Sequence, residues 1–82
     1  MLIGEIMGNL NDLIATVINP ATGKSLVDEG RLVSIKNQEG ELYVKYNRDG
    51  ITPDEKKSIE ESIIKTFEST YKEDDIYILT DS

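Results

Sequence analysis

The sequence predicts a two-layer α+β domain in the order helix, strand, strand, helix, strand, with two helices on one face of a mixed three-strand sheet. Two apolar stripes at helical spacing carry the helices: Leu10, Leu13, Ile14 and Val17, then Ile59, Ile63, Phe67 and Tyr71. Between them, two alternating segments flank a short polar loop that ends in glycine. A third apolar run, Ile76 to Thr80, closes the chain.

The first helix is expected to start near Asn9, which has the chemistry of an N-cap, with Asp12 favourably placed in the first turn. Ile3 and Ile6 continue its stripe backwards, but Gly4 and Gly8 each cost about 1 kcal/mol in a helix interior, so residues 1–8 read as a loose N-terminal extension. Asn19-Pro20 should end the helix, because the residue before proline is pushed out of the α region. Pro20 to Gly23 is then a turn, Lys24 to Val27 a short extended piece, and Gly30 a bend.

Arg31–Lys36 alternates as a strand, with Val33 and Ile35 on one face and Leu32 and Ser34 on the other. Asn37–Gly40 suits a hairpin loop. Glu41–Asn47 is rich in aromatic and branched residues and is its partner strand, placing Leu42, Val44 and Tyr46 toward the core and Tyr43 and Lys45 away from it. Thr52-Pro53-Asp54-Glu55 reads as an N-cap, a first-position proline and the reciprocal acid of a capping box, opening a helix to about Thr70. Ile64 lies beside its apolar stripe, and Glu61–Lys65 and Glu68–Lys72 are spaced as ion pairs on its wet side. A crossover helix puts the last strand parallel to the second. Its expected neighbour is the first strand, in a split arrangement.

All 82 residues fit one domain, whose core is small: a chain of this length buries about 60% of the surface that its unfolded form exposes. Sixteen acidic residues against nine basic ones give a net charge of −7, which disfavours nucleic acid and anionic membranes as partners. With no run of about 18 apolar residues and no basic, apolar leader, a cytoplasmic location is expected. The sequence has no Cys, His or Trp. That excludes a disulfide framework, a Cys/His zinc site, a cluster held on this chain's own thiolates and the common nucleophile–His pairs. No enzyme activity, metal or cofactor is expected, since no nucleophile–base pair or cofactor loop can be named.

Three features invite a chemical reading. Thr22-Gly23-Lys24-Ser25 resembles the end of a phosphate-binding loop, but the glycine required five residues before Gly23 is Ile18, and the segment follows a helix where the motif follows a strand. A plain turn is the favoured reading. Asp28-Glu29 and Glu73-Asp74-Asp75 are the densest carboxylate groups, yet neither has the alternating ligands and glycine turn of a calcium loop, so solvated surface is favoured. Leu32, Tyr43, Tyr77 and Leu79 should lie together on the sheet face away from the helices. They read equally well as scattered surface apolars or as an interface for a protein partner or a second copy. A rival arrangement folds Leu2–Ile6 over them.

The segment Val17-Ile18-Asn19-Pro20-Ala21-Thr22-Gly23-Lys24-Ser25-Leu26-Val27, followed by Glu29-Gly30-Arg31-Leu32-Val33, resembles the iron–sulfur cluster assembly domain family. That small domain occurs alone in SufT-like and PaaD-like proteins and at the N-terminus of Mrp-type ATPases. Its pattern is V-x-D-P-E-x-G-x-x-[LI]-V-x-L-G-x-V, then a hairpin, then T-x-P-x-C-P opening the second helix. The resemblance extends from Asn9 to Thr80 in element order and carries Asn19, Pro20, Gly23, Gly30, Thr52 and Pro53 onto family positions. The departures are pointed. Asn19 replaces the family Asp, Ala21 the Glu, and Glu29 the Leu before the glycine. Thr52 replaces the Cys linked to metal or cluster handling. The resemblance therefore implies an accessory domain of iron–sulfur protein maturation that lacks its own ligands and works through contacts with an assembly ATPase or scaffold. The alternative is an interaction or dimerisation module with no metal role.

Overall fold

The computed structural model describes residues 10–81 of the chain. The expected Asn9 cap, the extension over residues 1–8 and the covering segment Leu2–Ile6 lie outside the described residues. Within them the order is α1 (residues 10–14), β1 (Leu32–Gln38), β2 (Glu41–Asn47), α2 (Pro53–Phe67) and β3 (Ile76–Asp81), with a single 3₁₀ turn at Glu73–Asp75 leading into β3. This is the α+β order expected from the sequence.

α1 ends earlier than Asn19. The Ala15 amide still donates four residues back to Asn11, but the next two, Thr16 and Val17, reach only three back, to Leu13 and Ile14. The Thr16 hydroxyl also donates to the Leu13 carbonyl at 2.6 Å, offering that acceptor an alternative to the helix. The chain then folds back on itself: Ile18 forms an antiparallel bridge with Ser25, the Asn19 amide donates to Lys24 at 2.8 Å, and the Leu26 amide donates to Val17 at 3.1 Å. Closure of this loop stops the helix before the proline is reached, and the expected extended piece at Lys24–Val27 reduces to that one bridge.

β1 and β2 form an antiparallel hairpin closed by two residues, not by a four-residue loop. Glu39 and Gly40 both take positive φ, 54° and 83°, as a type I′ turn requires. Its twist matches that of the strands, so pairing continues through Asn37↔Leu42 and Gln38↔Glu41. Leu42, Val44 and Tyr46 alternate inward from β2 and are fully buried.

A β-bulge corrects the facing of β1. Leu32 pairs with Tyr46 and Ser34 with Lys45, so Val33 is an extra residue in the ladder. From Ser34 onward the alternation is as expected, with Ile35 opposite Val44. Before the bulge it inverts. Leu32 turns to the helix side and packs against the core, while Val33 is half exposed. The predicted cluster of Leu32 with Tyr43, Tyr77 and Leu79 therefore loses Leu32.

β3 runs parallel to β2 and pairs with it directly, Leu42↔Ile76 through Asn47↔Asp81. The sheet order is β1-β2-β3, and the split arrangement is not adopted. The reason lies in the side chains. A central strand must be buried, and β2 carries three fully buried residues, whereas β1 carries a bulge and a polar end that suit an edge.

α2 opens with both halves of its capping box. The Thr52 hydroxyl accepts from the Glu55 amide at 3.2 Å, and the Glu55 carboxylate accepts from the Thr52 amide at 3.0 Å. A cap of this kind contributes about 1 kcal/mol. Ile59, Ile63 and Phe67 bury one face of α2 in the core; the helix ends at Phe67, short of the expected Thr70, and Tyr71 packs into the same core from the turn beyond it. The ion pair on α2 is Lys56–Glu60 at 2.6 Å. The expected Glu61–Lys65 and Glu68–Lys72 pairs are not formed among the described residues. The core joins Leu10, Ile14 and Val17 to Leu26, the inward side chains of β2 and the α2 stripe. Both helices thus lie on one face, and no helix among the described residues is long and apolar enough to cross a membrane.

The bulge has a direct test. Leu32→Lys should lower unfolding stability by about 1–2 kcal/mol, because it removes apolar contact with the core. Val33→Lys should stay within about 0.5 kcal/mol of wild type. Urea denaturation of the two variants reads the difference, and a regular strand would reverse it.

Candidate functional site

Two clusters contain the residues singled out by sequence. The first is the loop from Val17 to Arg31. Asn19 is only 1% exposed, and all of its polar groups are occupied. Its Oδ1 accepts from the Ala21 amide at 3.0 Å, and its backbone carbonyl accepts from the Gly23 amide at 2.8 Å. Its Nδ2 donates to Glu29 Oε1 at 3.1 Å. The Thr22 hydroxyl and the Arg31 guanidinium also donate to the Glu29 carboxylate. Hydrogen bonds from Thr22, Asn19 and Arg31 therefore hold the Glu29 carboxyl below its ordinary value of 4.5, outweighing partial desolvation. Arg31 goes on to donate to the carbonyls of Asn47, at 3.1 Å, and Asp49, at 2.7 Å. The network ties the loop after α1 to the end of β2.

Pro20 is exposed at the head of this loop, and Gly23 and Gly30 sit at its two turns with φ of 75° and 69°. Thr52 and Pro53 stand elsewhere, exposed at the start of α2. The hydroxyl of Thr52 is taken up by the cap. Glu29 is an anchored bridge and not a free ligand, and no group of three or more acidic side chains among the described residues is placed to hold a metal ion. Thr22–Ser25 forms a closed turn, as expected, with no phosphate-loop geometry.

Sequence reasoning named Asn19 and Glu29 as separate departures from a family pattern; the structure makes them partners. The Asn19 amide supplies a donor where an Asp would set a second carboxylate about 3 Å from the first. Asn19→Asp should therefore lower the urea midpoint at pH 7 more than Asn19→Ala does. The folded state raises the carboxyl pKa of that variant, so the penalty belongs to the high-pH side. The gap should close as pH falls through the carboxylate range.

The second cluster is the open face of the sheet. Register places Lys36, Tyr43 and Tyr77 in one row across three strands, and Ser34, Lys45 and Leu79 in the next. The Tyr43 and Tyr77 rings stack at 5.0 Å between centroids with planes 15° apart. Both phenols turn to one acid: Tyr43 donates to Glu41 Oε1 at 2.8 Å and Tyr77 to Glu41 Oε2 at 3.3 Å. The Lys36 ammonium lies 6.0 Å from the Tyr43 centroid. Tyr77 is 40% exposed and Leu79 51%. Of the four residues expected here, three are brought together. Glu41 was missed, although its place two residues before Tyr43 on one strand puts both on the same face.

Glu41 shapes the titration of both rings. For Tyr43 its hydrogen bond is the leading cause of a raised pKa, and for Tyr77 its charge is. Buried Tyr46, beside Glu60, is pushed further, to about 12, mainly by desolvation. Each shift favours the neutral phenol in the fold, so its stabilising effect holds below the ordinary value of 10.0 and fades as pH rises through the folded value. In an ultraviolet titration, Glu41→Gln should bring Tyr43 and Tyr77 back toward 10.0 and leave Tyr46 at about 12. Unmoved Tyr43 and Tyr77 titrations would show that the acid does not bridge the rings.

No protein-family model matches this chain, and no curated protein or solved structure matches it significantly.

Proposed function

We propose that this protein is a non-catalytic interaction domain that receives a protein partner on the open face of its sheet. The observation that supports this is the Tyr43–Tyr77 stack beside exposed Leu79, on a face that no described element covers. Two rigid aromatic rings with polar tips supply contact area at low entropic cost, and tyrosine is enriched at interfaces for that reason. Glu41 pre-organises the pair by holding both phenols. A domain carrying a net charge of −7 stays soluble with such a patch exposed.

The partner class follows from the resemblance at Asn19, Pro20, Gly23, Gly30, Thr52 and Pro53: an iron–sulfur assembly ATPase or scaffold, with the domain acting as an accessory without cluster ligands of its own. Self-association through the same face is the alternative, supported by the same patch. The double variant Tyr43→Lys/Tyr77→Lys tests both. It should keep its unfolding free energy within about 1 kcal/mol of wild type in urea denaturation, since the rings are partly exposed. It should lose binding to a purified Mrp-type ATPase or assembly scaffold, or lose dimer mass in sedimentation. A folded variant of unchanged mass and unchanged binding removes the face from any functional role. A loss of several kcal/mol would mean that the rings are covered within the monomer.

A further inference from the structure

We propose that the outer edge of β3 takes up an extended peptide segment with basic flanks, which adds to the sheet as a fourth strand. This deepens the reading of the domain as a protein-binding module and rests on it. The two edges of the sheet differ. β1 is blunted in the ways that exclude strand addition, with a bulge at Val33, Lys36 in mid-strand and a polar end at Asn37-Gln38. β3 has no bulge, and its residues from Ile76 to Leu79 carry no charge. It reads Ile-Tyr-Ile-Leu-Thr-Asp, pairs without interruption from Ile76 to Asp81, and has no second neighbour among the described strands.

The backbone fixes which groups are on offer. The Asp81 carbonyl accepts from the Arg48 amide at 2.9 Å, so Asp81 faces the β2 side. The amide and carbonyl of one strand residue point the same way, and successive residues alternate. Leu79 and Tyr77 then also face β2, while Ile78 and Thr80 direct their amides and carbonyls outward. The Ile76 amide is already taken by the Glu73 carbonyl. Among the described residues, the unpaired edge is therefore a two-residue ladder at Ile78 and Thr80. Tyr77 and Leu79 line its solvent side at 40% and 51% exposure.

Charge decides the occupant. Glu73, Asp74 and Asp75 lie at one end of β3 and Asp81 at the other. A second copy pairing antiparallel along this edge would set each acidic cluster against the other chain's Asp81, between molecules of charge −7. A heterologous strand with Lys or Arg at both ends meets opposite charge at both ends.

The probe is a capped octapeptide of alternating Val and Thr with Lys at each end, beside a control that ends in Glu. Amide hydrogen exchange on the full chain is the readout. The Lys-ended peptide should slow exchange at Ile78 and Thr80 by at least about tenfold and leave Tyr77 and Leu79 unchanged, and the Glu-ended control should bind at least about tenfold more weakly. Thr80→Pro removes only an outward amide, which an edge strand tolerates, and should abolish the effect. Should that variant unfold, Asp81→Lys provides a second test by setting a like charge against a basic flank. Equal binding of both peptides, no added protection, or amides of Ile78 and Thr80 already slow in the free chain would overturn the proposal. So would a dimer that dissociates on Thr80→Pro, since a second copy would then hold the edge. If the peptide fails while Tyr43→Lys/Tyr77→Lys still abolishes partner binding, the edge inference falls and the open-face reading survives.

Discussion

The structure depends on the burial of one strand. β2 is flanked on both sides by hydrogen-bonded neighbours, and its inward residues Leu42, Val44 and Tyr46 are completely shielded from water. Burying three side chains of this size contributes about 1.5–3 kcal/mol each, which in so small a domain rivals the whole net stability. Both helices are arranged to supply that cover, α1 through Leu10, Ile14 and Val17, and α2 through Ile59, Ile63 and Phe67. The polar end of Tyr46 is part of the same constraint. Its hydroxyl reaches Glu60 on α2 at 3.3 Å, so the largest buried ring is not left with an unpartnered donor.

Once β2 is central, the two edges are set. β1 takes the side where a bulge is tolerated, and the bulge lets Leu32 and Ile35, three residues apart, serve the same face. A regular strand would put them on opposite faces, and one of the two would leave the core. β3 takes the other side by parallel pairing, which needs the long crossover that α2 provides. The Arg31 network then locks the entrance of β1 to the exit of β2 through the carbonyls of Asn47 and Asp49.

Much of this was legible in sequence because it is local or periodic. The α2 stripe, the Thr52–Glu55 capping box and the alternation of Glu41–Asn47 each follow from spacing alone, and each is present in the fold. What was not legible depends on contacts between distant residues. The end of α1 is set by the pairing of Val17 and Asn19 with Leu26 and Lys24, not by Pro20. The bulge is visible only as a mismatch, two apolar residues three apart in an otherwise alternating run. The strand order turns on which strand is apolar enough to be enclosed. That comparison was available, since Leu42, Val44 and Tyr46 outweigh a β1 that ends in Asn-Gln, but topology rules alone do not make it. In the candidate site, Tyr43, Tyr77 and Leu79 fell together because alternation is robust away from the bulge, whereas Leu32 lay on its wrong side.

The positions that carry the family resemblance each have a folding task in this chain. Asn19 caps its own loop and donates to Glu29, Gly23 and Gly30 take positive φ at turns, Thr52 caps α2 and Pro53 opens it. Residues occupied in this way are poor carriers of chemistry, because their polar atoms are already bonded. Tyr43 and Tyr77 are placed differently. They contribute little to the core, their rings remain accessible, and Glu41 orders them at the cost of bringing an acid against two phenols. An arrangement that orders exposed side chains without burying them lowers the entropy lost when a partner binds, and little else in the fold depends on it. That separation between residues that hold the loop and the helix start and rings that stay accessible on the sheet is the physical ground for seeking function on the sheet.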